Sequence, residues 1–217
     1  MVKKIDDAYS LEEMRSEVLF SRAALKADPN AADFLPSTGS WLGIVATASD
    51  QELAARTASV EATASRTIAN QRLDETCRDV GRALATELKN DRSGARWGRL
   101  FRGTVDDFVH QPLADQAAAC KGWLELDEPI LAAFREPLAF WANAAEAALR
   151  DTTAAGQARG TAMVGRELAA ESLTRARDGL HAQLVARANE RNLPRDFADG
   201  FFMVTPRKSG KGPKNGG

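Results

Sequence analysis

The chain carries two histidines, and each follows an aspartate by three residues: Asp107-Phe-Val-His110 and Asp178-Gly-Leu-His181. Residues three apart share one side of a helix. Two carboxylate-x-x-histidine pairs on facing helices, completed by glutamates from two more, make the two-metal carboxylate centre of helical bundles. Glu75, Glu87, Glu136 and Glu146 are the glutamates that would complete it here. Metal ligands must project inward, and helical geometry opposes that. At about 100° per residue, Phe101, Val105 and Phe108 define a core direction. His110 lies nearly opposite that direction and Asp107 well off it. On its own helix His181 flanks the leucine stripe, while Asp178 points mostly away. The sequence therefore predicts neither a metal centre nor any other cofactor.

Other chemistry has less behind it. There is no G-x-S-x-G elbow. Cys77 and Cys120 form no C-x-x-C or metal spacing. They could pair, but a chain of 217 residues needs no staple. Cys77 lies between Leu73 and Val80 on an apolar face, so reduced, packed thiols are expected. The stretches "GRLFRGT" and "GQARGTAMVG" lack the lysine of a phosphate-binding loop. Gly156-x-x-x-Gly160, in a polar setting, reads as close helix packing or local fraying.

The segment "RSGARWGRLFRG" mixes Arg92, Arg96, Arg99 and Arg102 with Trp97 and Phe101. Such mixtures bind nucleic acid or anionic membranes. The plainer reading is an interhelical turn with its aromatics in the core and its arginines wet. Arg96, Trp97 and Arg99 remain candidate contacts for a partner. Lys+Arg number 29 and Asp+Glu 30, interspersed through most of the chain. That balance argues against a general polyanion-binding surface. Only the basic C-terminus offers weak contact with nucleic acid.

These residues sit in a chain that reads as helical throughout. Hydrophobic residues are 44%, charged 27% and aromatic 6%, and the abundant alanine favours helix and close helix approach. Ser10 and Glu13 form a capping box for a first helix that ends at Asp28-Pro29. Residues 29–49 read as a long connection. Ser49 and Glu52 suggest a second cap, opening a helix over about 50–89. Gly94 marks the break after it. A shorter helix from Trp97 is interrupted at Pro112, and residues 113–125 form another short piece. Pro129 opens a further helix whose stripe is Ile130, Phe134, Leu138, Trp141, Ala145 and Leu149, with a kink expected at Pro137. A last long helix spans about 152–191, with Ala169, Leu173, Ala176, Leu180, Leu184 and Ala188 on its buried face. The expected architecture is an all-α bundle of about five helices, two very long. It forms a single domain over residues 1–205, with a disordered basic tail over 206–217.

One helix bears on function most directly. Over residues 50–89, Leu53, Val60 and Ile68 cluster on one side, whereas Leu73, Cys77, Val80, Leu84 and Leu88 cluster nearly opposite. Drift against a heptad is only about 20° per seven residues. Either the helix breaks near residue 69, or it continues and its halves pack on different neighbours. The absence of glycine and proline there favours continuity. Leu73, Val80 and Leu84 should then pack within the main bundle. Leu53, Val60 and Ile68 should meet the 29–49 connection or another chain.

The expected function is a non-catalytic structural or adaptor-like protein acting through protein association or self-association, by coiled-coil-like helix pairing. In composition alone, the alanine-rich amphipathic helices and basic tail are similar to those of the phasins that coat storage granules. That likeness implies a surface-coating protein as the second reading. A metal-carboxylate bundle is the third. No leader-like apolar region follows the N-terminal lysines and no stretch reaches membrane-spanning length, so the expected location is the cytoplasm.

Overall fold

In a computed structural model, residues 9–203 are described, and the regular elements among them are all helical. They are α1 (Leu11–Ala27), α2 (Trp41–Glu87), α3 (Ala95–Leu100), α4 (Val105–Val109), α5 (Leu113–Leu124) and α6 (Arg135–Glu190). Two 3-10 segments, Ala32–Thr38 and Pro129–Ala133, lie between helices, and a third, Phe197–Phe201, follows α6. The two very long helices have 47 and 56 residues. The expected tail over 206–217 lies outside the described residues.

Local chemistry explains most boundaries. Ser10 caps α1: its hydroxyl accepts from the Glu13 N–H at 3.1 Å, and Glu13 accepts from the Ser10 N–H at 2.7 Å. Asp28 is extended before Pro29 and ends the helix. Ser49 caps nothing, because α2 already starts at Trp41; its hydroxyl donates to the Val45 carbonyl at 2.9 Å instead. Nor is 29–49 one long connection, since it holds a 3-10 segment and the first two turns of α2. Lys89 and Asn90 adopt left-handed backbone, and the Asn90 N–H reaches back to the Ala85 carbonyl at 2.8 Å. They close α2 in the usual left-handed manner, whereas Gly94 is the N-cap of α3.

Pro137 puts no break into a helix. It occupies the first turn of α6, where backbone N–H groups have no intrahelical acceptor to lose. The segments expected before and after residue 151 are one helix, α6. The helix expected through Trp97 and Phe108 is two. Phe101 to Thr104 separate them, and Thr104 opens α4 with a capping box to Asp107.

Contacts divide the chain into two compact units, with the divisions falling at 53/54 and 160/161, inside both long helices. The first contains residues 9–53 and 161–203. Its core packs Met14, Val18 and Leu25 of α1 with Trp41 and Val45 of α2, Leu173, Leu180 and Leu184 of α6, and Phe201 and Phe202. Within it Arg177 and Glu17 form a buried ion pair at 2.7 Å. Glu17 also accepts from the Met203 N–H at 3.1 Å, so one carboxylate joins α1, α6 and the end of the described chain. Arg187 fixes the turn after α1, pairing with Asp33 at 2.6 Å and lying over the Phe34 ring.

The second unit contains residues 54–160. Its core joins Leu73, Cys77, Val80 and Leu84 of α2 to α5 and to Leu138, Ala142 and Ala145 of α6. Phe101 is its aromatic hub, with ring centroids 5.1 Å from both Trp97 and Trp123 and 5.6 Å from Phe108. The Trp97 indole N–H donates to the Gly103 carbonyl at 3.0 Å. Trp141, expected as a central anchor, packs partly buried at the edge of this core. The fully buried positions of this part of α6 are Leu138, Ala142 and Ala145.

Candidate interaction face

Between Val45 and Leu73 the buried side chains of α2 are Ala48, Ala55, Ala62 and Ala69. Between Ala145 and Ala170 those of α6 are Ala148, Ala155, Ala162 and Ala169. On each helix this seven-residue row of buried alanines is a seam of the kind that packs along a neighbouring helix, and alanine permits close approach. In the first unit the Gln51 amide of α2 reaches across to the space beside Gly165 of α6. The seam was present in the sequence as alanine at every seventh position. It went unread because alanine also fills many exposed positions of the same helices.

Leu53, Val60 and Ile68 are not part of that seam. They are 65%, 64% and 51% exposed, while Leu73, Cys77, Val80 and Leu84 are fully buried. α2 is continuous through Ile68-Ala69, but the expected change of packing face is not found: the buried row of Ala48, Ala55, Ala62 and Ala69 runs on into Leu73, Cys77 and Val80 on one side of the helix. The 29–49 segment does not bury Leu53, Val60 or Ile68. On α6, Met163, Val164 and Leu168 are also exposed large apolar residues, which the sequence reading did not select. Leu168 borders a hollow of about 510 Å³ in the first unit, with Ile44, Ala48 and Ala169 on its walls.

The basic-aromatic candidates divide. Trp97 is 2% exposed and belongs to the core of the second unit. Arg96 is held from two sides: its Nε lies 3.0 Å from both carboxylate oxygens of Glu128, and its Nη1 lies 2.6 Å from Glu87. These two carboxylates raise the Arg96 pKa. Arg96 in turn holds the Glu128 carboxyl below its ordinary range, against the opposing effect of burial. Arg99 remains exposed, beside a hollow that it shares with Arg102, Phe108 and Trp123. Arg96 and Trp97 thus have structural partners, and Arg99 alone of the three is exposed.

The metal candidates also have separate occupations. Asp107 caps α4, accepting from the Thr104 hydroxyl at 2.7 Å and the Thr104 N–H at 3.0 Å. The hydroxyl contact is the main reason its pKa is lowered. His110, in the second unit, is exposed and its Nδ1 lies 2.7 Å from the Asp106 carbonyl. His181, in the first, has its Nε2 at 3.0 Å from Asp199, while Asp178 is exposed. Of the glutamates, Glu75 pairs with Arg72, Glu87 with Arg96 and Glu146 with Lys121; Glu136 is exposed in the first turn of α6. Among the described residues no three or more His, Cys, Asp or Glu side chains are grouped to hold a metal ion. Among the same residues no helix is long and apolar enough to cross a membrane.

No family model, no curated protein and no solved structure matches this chain.

Proposed function

We propose that this is a non-catalytic helical protein that acts in the cytoplasm through protein–protein association, with Leu53, Val60 and Ile68 of α2 as contact residues. The observation that carries the reading is the exposure of these three large apolar side chains on a helix whose neighbouring buried positions hold only alanine. Isolated exposed apolar residues are common. Three at 53, 60 and 68 recur at helical spacing on one side, as in the anchors of helix-in-groove and helix–helix recognition. Arg96 and Trp97 are left out of this face because their own fold engages them.

The test compares Val60→Glu with Val80→Glu. Association is measured by sedimentation equilibrium for self-association and by co-purification from the native cell for other partners. Val60→Glu should keep the wild-type urea midpoint and weaken association at least tenfold. Val80→Glu, at a fully buried position, should unfold or strongly destabilise the protein. An unchanged association in Val60→Glu, or no association by the wild type in either assay, rejects the reading.

A surface-coating role is the second reading, favoured by the further exposed apolar residues Phe140, Met163, Val164 and Leu168. Flotation with lipid vesicles, with and without Val60→Glu, separates it from protein association.

A further inference from the structure

Cys77 of α2 and Cys120 of α5 place their sulfurs 3.4 Å apart, both fully buried in the core of the second unit. Their register is not incidental. One turn earlier on each helix, the Gln116 amide donates to the Asp74 carboxylate at 2.7 Å. The 74–116 and 77–120 contacts advance together along both helices, so α5 runs in the same direction as α2 where they touch. Leu73, Val80, Leu113 and Ala117 fill the same core. Two thiols are thereby held side by side by a packed core and a polar clamp.

We propose that Cys77 and Cys120 are a paired oxidation site whose intramolecular disulfide the native fold accommodates. A disulfide needs its sulfurs at about 2.05 Å, so each would move about 0.7 Å from the present 3.4 Å contact. A small disulfide such as oxidised glutathione serves as the oxidant. One protein thiolate attacks it, a protein–glutathione bond forms, and the first glutathione leaves as thiolate. The second protein thiolate attacks the protein sulfur of that mixed disulfide, the Cys77–Cys120 bond forms, and the second glutathione leaves. The two protein thiols lose two electrons and two protons, and one oxidised glutathione becomes two reduced glutathiones.

Position gives the bond its consequence. The closed loop contains α3 and α4, with Trp97, Phe101 and Phe108 of the aromatic cluster. Cross-linking its ends restricts the unfolded chain more than a short loop would. The contact with the neighbouring thiol, and burial, raise the Cys77 pKa. Thiolate is the attacking species, so oxidation waits for the core to open. The bond then makes the next opening harder: it records one excursion and resists another.

The experiment is a redox equilibration of the full chain in glutathione buffers, under native conditions and separately in concentrated denaturant. It is approached from the reduced chain and from chain oxidised while unfolded and then refolded. Free thiols are counted after acid quench, and the products are identified by mass. The expected product is a monomer lacking two hydrogens. The ratio of disulfide to dithiol at a given buffer should be at least tenfold higher in the native than in the denatured chain. Cys77→Ser and Cys120→Ser should give no such species. A native ratio equal to or below the denatured one, or oxidised chain that will not refold, overturns the proposal. So does a native product consisting of glutathione adducts or intermolecular dimers.

Discussion

Arg177 and Glu17 meet at 2.7 Å with 2% and 1% of their side chains exposed. Each has given up hydration and is compensated in part by the other. Burial is the largest influence on Arg177 and lowers its pKa, with Glu17 acting in the opposite direction. Removing one member therefore takes away the other's buried counter-charge. Glu17→Leu or Arg177→Met should cost about 3–5 kcal/mol, whereas the double substitution should cost much less than the sum. Urea unfolding of the four proteins measures the coupling. Additive losses would show that the two groups are stabilised independently.

Acid should weaken the second unit through Glu128. Its folded pKa lies below the ordinary glutamate value of 4.5, chiefly because Arg96 hydrogen-bonds to it. Below that value the unfolded chain takes up the proton first, which pulls the equilibrium toward unfolding. The contribution of the pair is present above pH 4.5 and is lost as pH falls through the folded value. Glu128→Gln should lower stability at neutral pH and flatten the acid limb of the stability profile. Glu61→Gln, at an exposed position of α2, should leave that limb unchanged.

Gly156 and Gly160 lie inside α6 with open space where a side chain would project. In an isolated chain, Gly156→Ala and Gly160→Ala should each stabilise by about 0.5–1 kcal/mol, because alanine costs less backbone entropy in a helix. Thermal unfolding checks the sign. A stabilised variant with weakened association would show that a partner's backbone approaches this surface.

Gly81 is a contrasting case. A methyl group there would strike the Val105 side chain of α4, whose β-branch leaves it few other positions. Gly81→Ala should therefore cost about 1–3 kcal/mol despite its better helix propensity. Adding Val105→Ala should recover much of the loss relative to Val105→Ala alone. A double-mutant cycle by urea unfolding reads the coupling.

Local signals were legible where their partners were near in sequence. The Ser10–Glu13 capping box and the α1 stop at Pro29 are of this kind. So is the face of Leu73, Val80 and Leu84. Pro137 misled because its effect depends on position within the helix, and only the tertiary structure places it in a first turn. Ser49 and Glu52 have the residue types of a cap, but packing of Trp41 and Val45 starts the helix two turns earlier. Arg96 resembled a surface contact because its buried partner, Glu128, is 32 residues away. The alanine seam was hidden for another reason: a residue equally suited to buried and exposed helix surfaces gives no contrast for periodicity to detect. Candidate contacts at Leu53, Val60 and Ile68 stood out since large aliphatic residues do give that contrast.

The placement of the tryptophans supplies an optical partition of the molecule. Of the four in the chain, Trp41 is buried in the first unit, while Trp97, Trp123 and Trp141 belong to the second. A variant retaining Trp41 alone would emit from one core, and a variant lacking only Trp41 from the other. Their denaturation midpoints, recorded by intrinsic fluorescence, would show whether the two long helices enforce a single cooperative melt or permit one half to open while the other stays closed.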